Sequence, residues 1–345
     1  MSSYQAFHTR VERGVKGAAL RYRPMAFELS RRALFTAASV STSISIANPI
    51  LPSSATSSRE FLPPIGLGTC CDEYSVAYTQ VISGLRAGYR LLDTAAHYDS
   101  EPAVGDALLE ARQRGVIAAN EEVRTVTKIW FDDMGFEPTL AAAKRSMANL
   151  RVEQLDTLLV HFPGTIDSVQ SPAANRKLRA ETWRALELLH SDGRCRTIGV
   201  SNYNRRHLKE TFASCKEVPS VLQMELHPRL PQTELVEYAR DNGVSSIMAH
   251  CPLAHGSPSL LASPVLARLA AERGPGCTPA MLCIRWSLDR GFIPIPKASS
   301  EVRLTENIRA SREMSPLTSE ERLAIDGLEA FGPDARVSFD PGLIV

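Results

Sequence analysis

The sequence predicts an α/β protein folded as a (β/α)8 TIM barrel, preceded by a disordered N-terminal extension. Three observations lead there. Short apolar runs alternate with helical patterns after residue 60, polar residues stand at the ends of the apolar runs, and Asp93, Lys128 and His161 follow one another at intervals of 35 and 33 residues. Sustained strand-helix alternation implies right-handed crossovers and a parallel sheet, and a unit that repeats with even length favours a closed barrel over an open sheet. An open dinucleotide-binding sheet would also carry G-x-G-x-x-G after its first strand. Here Gly66-Leu67-Gly68-Thr69-Cys70-Cys71 departs from that pattern. A barrel of roughly 250 residues fits the span that remains.

Residues 1–58 form a leader and residues 59–345 the barrel. The leader is basic, Ser-rich and poor in acids, with Ser30-Arg31-Arg32-Ala33-Leu34-Phe35 ahead of a weakly apolar stretch of small residues. That composition suits an organelle transit peptide for a plastid or mitochondrion. The arginine pair ahead of an apolar stretch suggests a second, twin-arginine address to the thylakoid lumen. A plain disordered tail on a cytoplasmic protein is the alternative. From Phe61 a strand-like run begins, and Arg90 to Asp93 is the next short apolar run. Glu101 to Arg112 has helical spacing, with Val104, Ala107, Leu108 and Ala111 on one side. Val123 to Ile129 is β-branched, and Pro138 to Leu150 is helical. Further strands are expected at Leu155 to Val160, Arg196 to Val200, Val221 to Leu226, Val244 to Ala249 and Phe292 to Ile295. Helices fall between them at Leu178 to His190, Arg206 to Ser214, Thr233 to Asn242, Pro264 to Arg273 and Pro279 to Arg290, with a last one at Thr318 to Glu329.

The formal net charge of +1 hides an asymmetry, because residues 1–60 carry eight Lys/Arg against three Asp/Glu and the remainder carries 31 against 35. A mildly acidic body without a basic stripe argues against nucleic-acid binding, and no apolar run has the length of a membrane span. Seven cysteines, with Cys70 and Cys71 adjacent, show neither C-x-x-C nor paired zinc-ligand spacing. Reduced, mostly buried thiols and no metal are expected. His190, His207 and His227 lack any ligand-like grouping, His97 reads as loop structure, and His255-Gly256-Ser257-Pro258 as a surface turn.

In a barrel the loops that follow the strands gather on one face. Asp93, Lys128 and His161, then Ser201-Asn202, Gln223, His250 and Lys297, place a polar residue there over seven strands. Alone, each has a bland reading: a salt-bridged turn, a solvated edge, a core histidine. In series they suggest proton transfer to a carbonyl oxygen. A tyrosine, with a reference pKa near 10, is a reluctant acid unless a cation favours its phenolate. Lys128 supplies that cation, Asp93 keeps it charged and oriented, Tyr98 donates, and His161 polarises the carbonyl as oxyanion donors do.

The chain then resembles an aldo-keto reductase. Gly88 to Tyr98 with Glu101, Val104-Gly105-Asp106-Ala107-Leu108, Thr127-Lys128, Leu155 to His161, Ile198 to Tyr203, Gln223 to Pro228 and Ile295-Pro296-Lys297 match that family's motifs in order over about residues 61–330. The resemblance implies a catalytic tetrad of Asp93, Tyr98, Lys128 and His161 with NADPH/NADP+ extended across the barrel mouth. It implies cofactor contacts at Thr69, Ser201, Asn202, Gln223, His250, Leu253, Lys297, Ser299, Arg303, Glu306 and Asn307. Of these, Ser201, Asn202 and Gln223 would hold the nicotinamide carboxamide, Lys297 and Arg303 the 2′-phosphate, and Glu306 and Asn307 the adenine. Basic groups beside a helix start form an anion site independently of the resemblance. The substrate pocket is expected at Cys70, Trp130 and His161.

Three positions depart from the family pattern. His250 stands for a tyrosine that stacks on nicotinamide, Cys70 for a tryptophan, and Ala298 for a phosphate-binding serine. The short C-terminal segment adds to the picture of an open pocket for small aldehydes or ketones, in a monomer. His161 argues against reduction of a conjugated carbon–carbon double bond, for which the family replaces it by a carboxylate. A cofactor-sensing binding module of the same fold is the non-enzymatic alternative.

Overall fold

In the computed structural model, which describes residues 62–70, 72–165, 171–330 and 335–344, eight short strands run parallel in chain order around one barrel. They are β1 (Leu67–Gly68), β2 (Leu91–Asp93), β3 (Arg124–Ile129), β4 (Leu155–Val160), β5 (Cys195–Ser201), β6 (Val221–Glu225), β7 (Ser246–His250) and β8 (Phe292–Ile295). Each pairs with the next, from Gly68 opposite Asp93 to His250 opposite Ile295. Backbone hydrogen bonds from Gly66 N to Pro294 O (3.0 Å) and Gly68 N to Pro296 O (3.1 Å) close the ring. The leader lies outside the described residues.

The period of two along a strand fixes what lines the interior. One interior layer is Leu91, Val126, Leu159, Val221, Met248 and Ile295. Two residues further along each strand or its exit, on the same side of the pleat, stand Asp93, Lys128, His161, Gln223, His250 and Lys297. Gly199 fills the same layer in β5, where a Cβ would strike the Val221 carbonyl oxygen and the Leu159 side chain; Ser201 follows two residues later. The polar mouth is thus stacked directly on an apolar floor. Intervening residues such as Leu92, Leu158, Val160, Val200 and Leu222 point outward into the larger core beneath the helices.

That outer layer is built from α1 (Tyr74–Ala87), α2 (Glu101–Gln113), α3 (Phe136–Leu150), α4 (Pro172–Ser191), α5 (Arg205–Ser214), α6 (Thr233–Asp241), α7 (Pro258–Leu261), α8 (Pro264–Glu272), α9 (Pro279–Asp289), α10 (Glu301–Arg312) and α11 (Ser319–Asp326). Helix α2 buries Val104, Ala107 and Ala111, three of the four residues whose spacing was read in the sequence, together with Ala103, while Leu108 is half-buried. Side-chain caps start several helices: Asn204 and His207 form a reciprocal box on α5, Thr278 caps α9, and Thr318 with Glu321 caps α11. Gly88, at φ 103°, ends α1 in the left-handed region that favours glycine.

Differences from the sequence expectation concentrate at the ends of the barrel unit. Strand β1 has only two residues, too few for a period to show. Helix α1 was not expected, since it mixes aromatic and β-branched residues, and of α10 only the start, near Lys297 and Arg303, was read, since it is polar along most of its length. Helix α4 starts at Pro172, six residues before the expected Leu178, while β7 starts at Ser246 because Val244 still belongs to the turn after α6. The expectation of reduced thiols needs one correction. Cys70 is disulfide-bonded, whereas Cys195, Cys215, Cys251, Cys277 and Cys283 are free. Missing C-x-x-C spacing carries no information about a bond formed through another spacing. Among the described residues no helix is long and apolar enough to cross a membrane.

Candidate active site

Strands β2, β3 and β4 deliver Asp93, Lys128 and His161 to neighbouring points of the mouth, and the short 3-10 turn Ala96–Tyr98 after β2 brings Tyr98 over them. Lys128 Nζ donates to Asp93 Oδ1 at 2.7 Å and to the Thr94 carbonyl at 2.8 Å. The other Asp93 oxygen accepts from Gln223 Nε2 at 2.7 Å. Thr69, wholly buried, donates its hydroxyl to the Asp93 carbonyl at 3.0 Å. Burial pushes the Lys128 ammonium down from its usual range, while the Asp93 charge beside it opposes that fall.

The Lys128 ammonium lies 4.9 Å from the centre of the Tyr98 ring, and the Tyr98 hydroxyl is 3.4 Å from His161 Nε2. Burial holds His161 well below the ordinary imidazole range, with the Lys128 charge adding to the effect. The ring is therefore neutral at physiological pH. Such a set can present two hydrogen-bond donors, a phenol and an imidazole N–H, to one oxygen atom.

Aromatic rings frame this point. Trp130 meets His161 edge-on at 4.9 Å, Phe162 stacks on His161 at 5.2 Å, and Phe339 meets Phe162 edge-on at 5.8 Å. His97, read as loop structure in the sequence, lies flat on Trp130 with centroids 3.7 Å apart and planes within 1°. Cys70 follows β1 at the same rim. Phe162 and Phe339 escaped the sequence reading; the first was legible as an aromatic directly after His161, the second had no signal, since it lies some 180 residues further on.

Phe339 is brought in by the end of the chain. Glu225, fully buried in β6, accepts from the backbone N–H groups of Val337 (2.7 Å) and Ser338 (3.1 Å) and from His227 Nε2 (3.0 Å). Burial pushes the Glu225 carboxyl up, but the hydrogen bonds from His227, Ser338 and Val337 outweigh it and bring it down to about 2. Further along, His207 Nε2 donates to the Ile344 carbonyl at 2.8 Å.

The expected cofactor residues fall into two groups. Ser201, Asn202 and Gln223 are buried together beside Asp93. Asn202 Nδ2 donates to the His161 carbonyl at 3.0 Å, and Asn202 Oδ1 lies 3.0 Å from His250 Nε2. His250 is thus held by its edge, with Nδ1 3.3 Å from Cys251 Sγ. Burial lowers its imidazole to about 3, so that it is neutral. Leu253 follows in the loop after β7. The second group surrounds the N-terminus of α10: Lys297 and Ser299 are exposed, Arg303 Nε donates to Ser300 Oγ at 3.2 Å, and Ala298 is buried between them. Two cations and a helix N-terminus within seven residues fit an anionic group such as a phosphate. Lys297 is paired with Asp72 at 2.9 Å. Glu306 and Asn307 face helix packing, since Glu306 accepts from Thr278 and Asn307, 2 % exposed, bonds Tyr89.

The family model for the aldo/keto reductase family matches residues 72–330. The chain belongs to this family. As an aldo/keto reductase it is an NADP-dependent oxidoreductase. It is 36 % identical over 282 residues to the 9,11-endoperoxide prostaglandin H2 reductase of Trypanosoma cruzi, covering 81 % of this chain and 91 % of that protein. It is 36 % identical over 281 residues to the glyoxal reductase of Bacillus subtilis, covering 81 % and 92 %. Among solved structures, a Gox0644 variant in complex with NADPH superposes with a TM-score of 0.71 at 31 % identity, over 81 % of this chain and 94 % of that one. The aldo-keto reductase of Bombyx mori in complex with NADP does so with 0.69 at 29 %, over 78 % and 89 %.

Proposed function

We propose that this chain reduces small aldehydes and ketones to alcohols, with Tyr98 as the proton donor. The observation that carries the reading is the chain Asp93–Lys128–Tyr98–His161, buried except for the half-buried Tyr98 and linked by the 2.7 Å ion pair, the 4.9 Å approach of ammonium to phenol ring and the 3.4 Å hydroxyl-imidazole contact. NADPH, when bound, would supply the hydride. Asp93 holds the Lys128 charge in place, and that charge favours loss of the Tyr98 phenolic proton to a carbonyl oxygen gaining negative charge. Neutral His161 donates Nε2–H to the same oxygen and fixes its position. Ser201, Asn202 and Gln223 would hold the carboxamide of the nicotinamide, and Lys297 and Arg303 the 2′-phosphate, with Lys297 exchanging its pairing to Asp72.

Trp130, Phe162 and Phe339 form an aromatic wall suited to a compact substrate, and the likeness to a glyoxal reductase supports small dicarbonyls. The test mixes the full chain with NADPH and methylglyoxal or 4-nitrobenzaldehyde and follows absorbance near 340 nm. Loss of absorbance in the wild type that Tyr98→Phe slows by about 100-fold or more, with NADPH binding retained, is the expected result. Tight NADPH binding without any turnover of either carbonyl would instead make the chain a cofactor-sensing module, and an undiminished Tyr98→Phe variant would remove the proton-donor assignment.

A further inference from the structure

The segments that leave β1 and β8 are joined by one ion pair, in which Lys297 Nζ lies 2.9 Å from Asp72 Oδ1. The two partners are unequal. The Lys297 side chain is 40 % exposed and that of Asp72 only 14 %, and Asp72 Oδ2 is buried with no hydrogen-bond partner among the described residues. An aspartate at the start of a helix ordinarily turns an oxygen to the free N–H groups of the first turn. Asp72 precedes α1 by two residues and makes no such bond, nor does Glu73 at the N-cap. A staple across the seam is not what the pair is needed for, because other bonds already serve there. Gly66 N to Pro294 O and Gly68 N to Pro296 O close the sheet, Ser83 Oγ donates from α1 to Glu301 Oε1 at 3.1 Å, and the Tyr89 hydroxyl donates to the Leu304 carbonyl at 3.3 Å. What Asp72 does hold is Lys297, the cation that stands with Arg303 at the start of α10.

On the reading that Lys297 and Arg303 take the 2′-phosphate, we propose that Asp72 sets how strongly the protein prefers NADPH to NADH. Its carboxylate occupies Lys297 before the cofactor arrives, and the phosphate has to displace it. Displacement exchanges one ion pair for another and leaves a largely buried carboxylate without its cation, which costs more than parting two exposed charges. The sealed Oδ2 makes that cost harder to recover, since no N–H or O–H group stands ready to replace the ammonium. NADH carries a hydroxyl where NADPH carries the phosphate, so its binding leaves the Asp72–Lys297 pair intact. Asp72 therefore weakens NADPH, spares NADH, and narrows a preference that the two cations alone would make wider.

The experiment titrates NADPH and NADH into the full chain at fixed ionic strength with no carbonyl substrate present, read by quenching of protein fluorescence. Asp72→Asn is expected to tighten NADPH about fivefold while the Kd for NADH changes by less than about twofold. Asp72→Glu, which keeps the charge, should lie closer to the wild type with NADPH. With Lys297→Met in place, Asp72→Asn should lose its effect on NADPH, because the two residues act as a pair. An NADPH affinity that Asp72→Asn leaves unchanged or weakens overturns the proposal, as does a parallel shift for both cofactors, which a purely structural role would give. A Lys297→Met variant that weakens NADPH and NADH alike would instead remove the 2′-phosphate assignment itself, a failure that the Lys297 variant reveals without reference to Asp72.

Discussion

Lys128 Nζ and Asp93 Oδ1 are 2.7 Å apart, with side chains only 1 % and 6 % exposed. An ion pair so sealed is weak evidence for stability but a strong constraint on charge, because removing one partner strands the other. Asp93→Asn is therefore expected to lower kcat by about 100-fold or more and to destabilise the fold by about 3 kcal/mol. Burial already pushes the Lys128 ammonium down, and without Asp93 it falls further. The alkaline limb of the pH–kcat profile accordingly moves to lower pH, a shift that mere misfolding would not produce.

His250 is bonded through Nε2 to the Asn202 side chain at 3.0 Å. His250→Ala removes the partner of Asn202 Oδ1 and leaves that amide held only through Nδ2, to His161 and Ser201. The KM for NADPH is expected to rise by about tenfold with kcat changed by less than about threefold, and His250→Gln, which keeps a donor, should recover part of the loss. Quenching of protein fluorescence by NADPH gives the affinity directly.

Gly105 is in α2 where it crosses the end of α3, and an added Cβ would run into the Asn149 carbonyl oxygen and the Leu150 backbone. Backbone cannot yield as a flexible side chain can. Gly105→Ala should cost about 1–3 kcal/mol despite the better helix propensity of alanine, seen as a lower urea midpoint with an unchanged slope.

The C-terminal segment should loosen on acidification in two stages. Burial lowers the His207 imidazole to about 4, so that it accepts a proton less readily folded than unfolded. Its contribution is complete above about pH 6.5 and is lost as the pH falls toward 4. Glu225, lowered to about 2, gives a contribution complete above about pH 4.5 and lost toward pH 2. Hydrogen exchange at Ile344 should therefore rise at a higher pH than exchange at Val337 and Ser338, and Glu225→Gln should abolish the second stage.

Most of the barrel was legible because its units repeat cleanly after the first: Val123–Ile129, Leu155–Val160 and Phe292–Ile295 were placed within a residue or so. Its first unit was not, since a two-residue strand has no measurable period and α1 hides its buried face, Ala77, Val81 and Leu85, among aromatic and β-branched neighbours. The site was legible for a related reason. Asp93, Lys128, His161, Gln223 and His250 each follow an interior residue by two, so the strand pattern that fixes the core also fixes the mouth. Sequence gave no access to contacts made by remote segments, such as Lys297 with Asp72, Glu306 with Thr278, or Phe339 with Phe162. Nor could it show that His250 would be taken by its edge.

The wall that Phe339 adds is also detachable. Glu225 and His207 fasten its segment to the barrel through a few hydrogen bonds, whereas Asp93, Lys128 and His161 are set by the strands themselves. Loosening that segment widens the mouth and leaves the ion pair beneath it in place, so the width of the opening and the chemistry of its floor belong to separate parts of the fold.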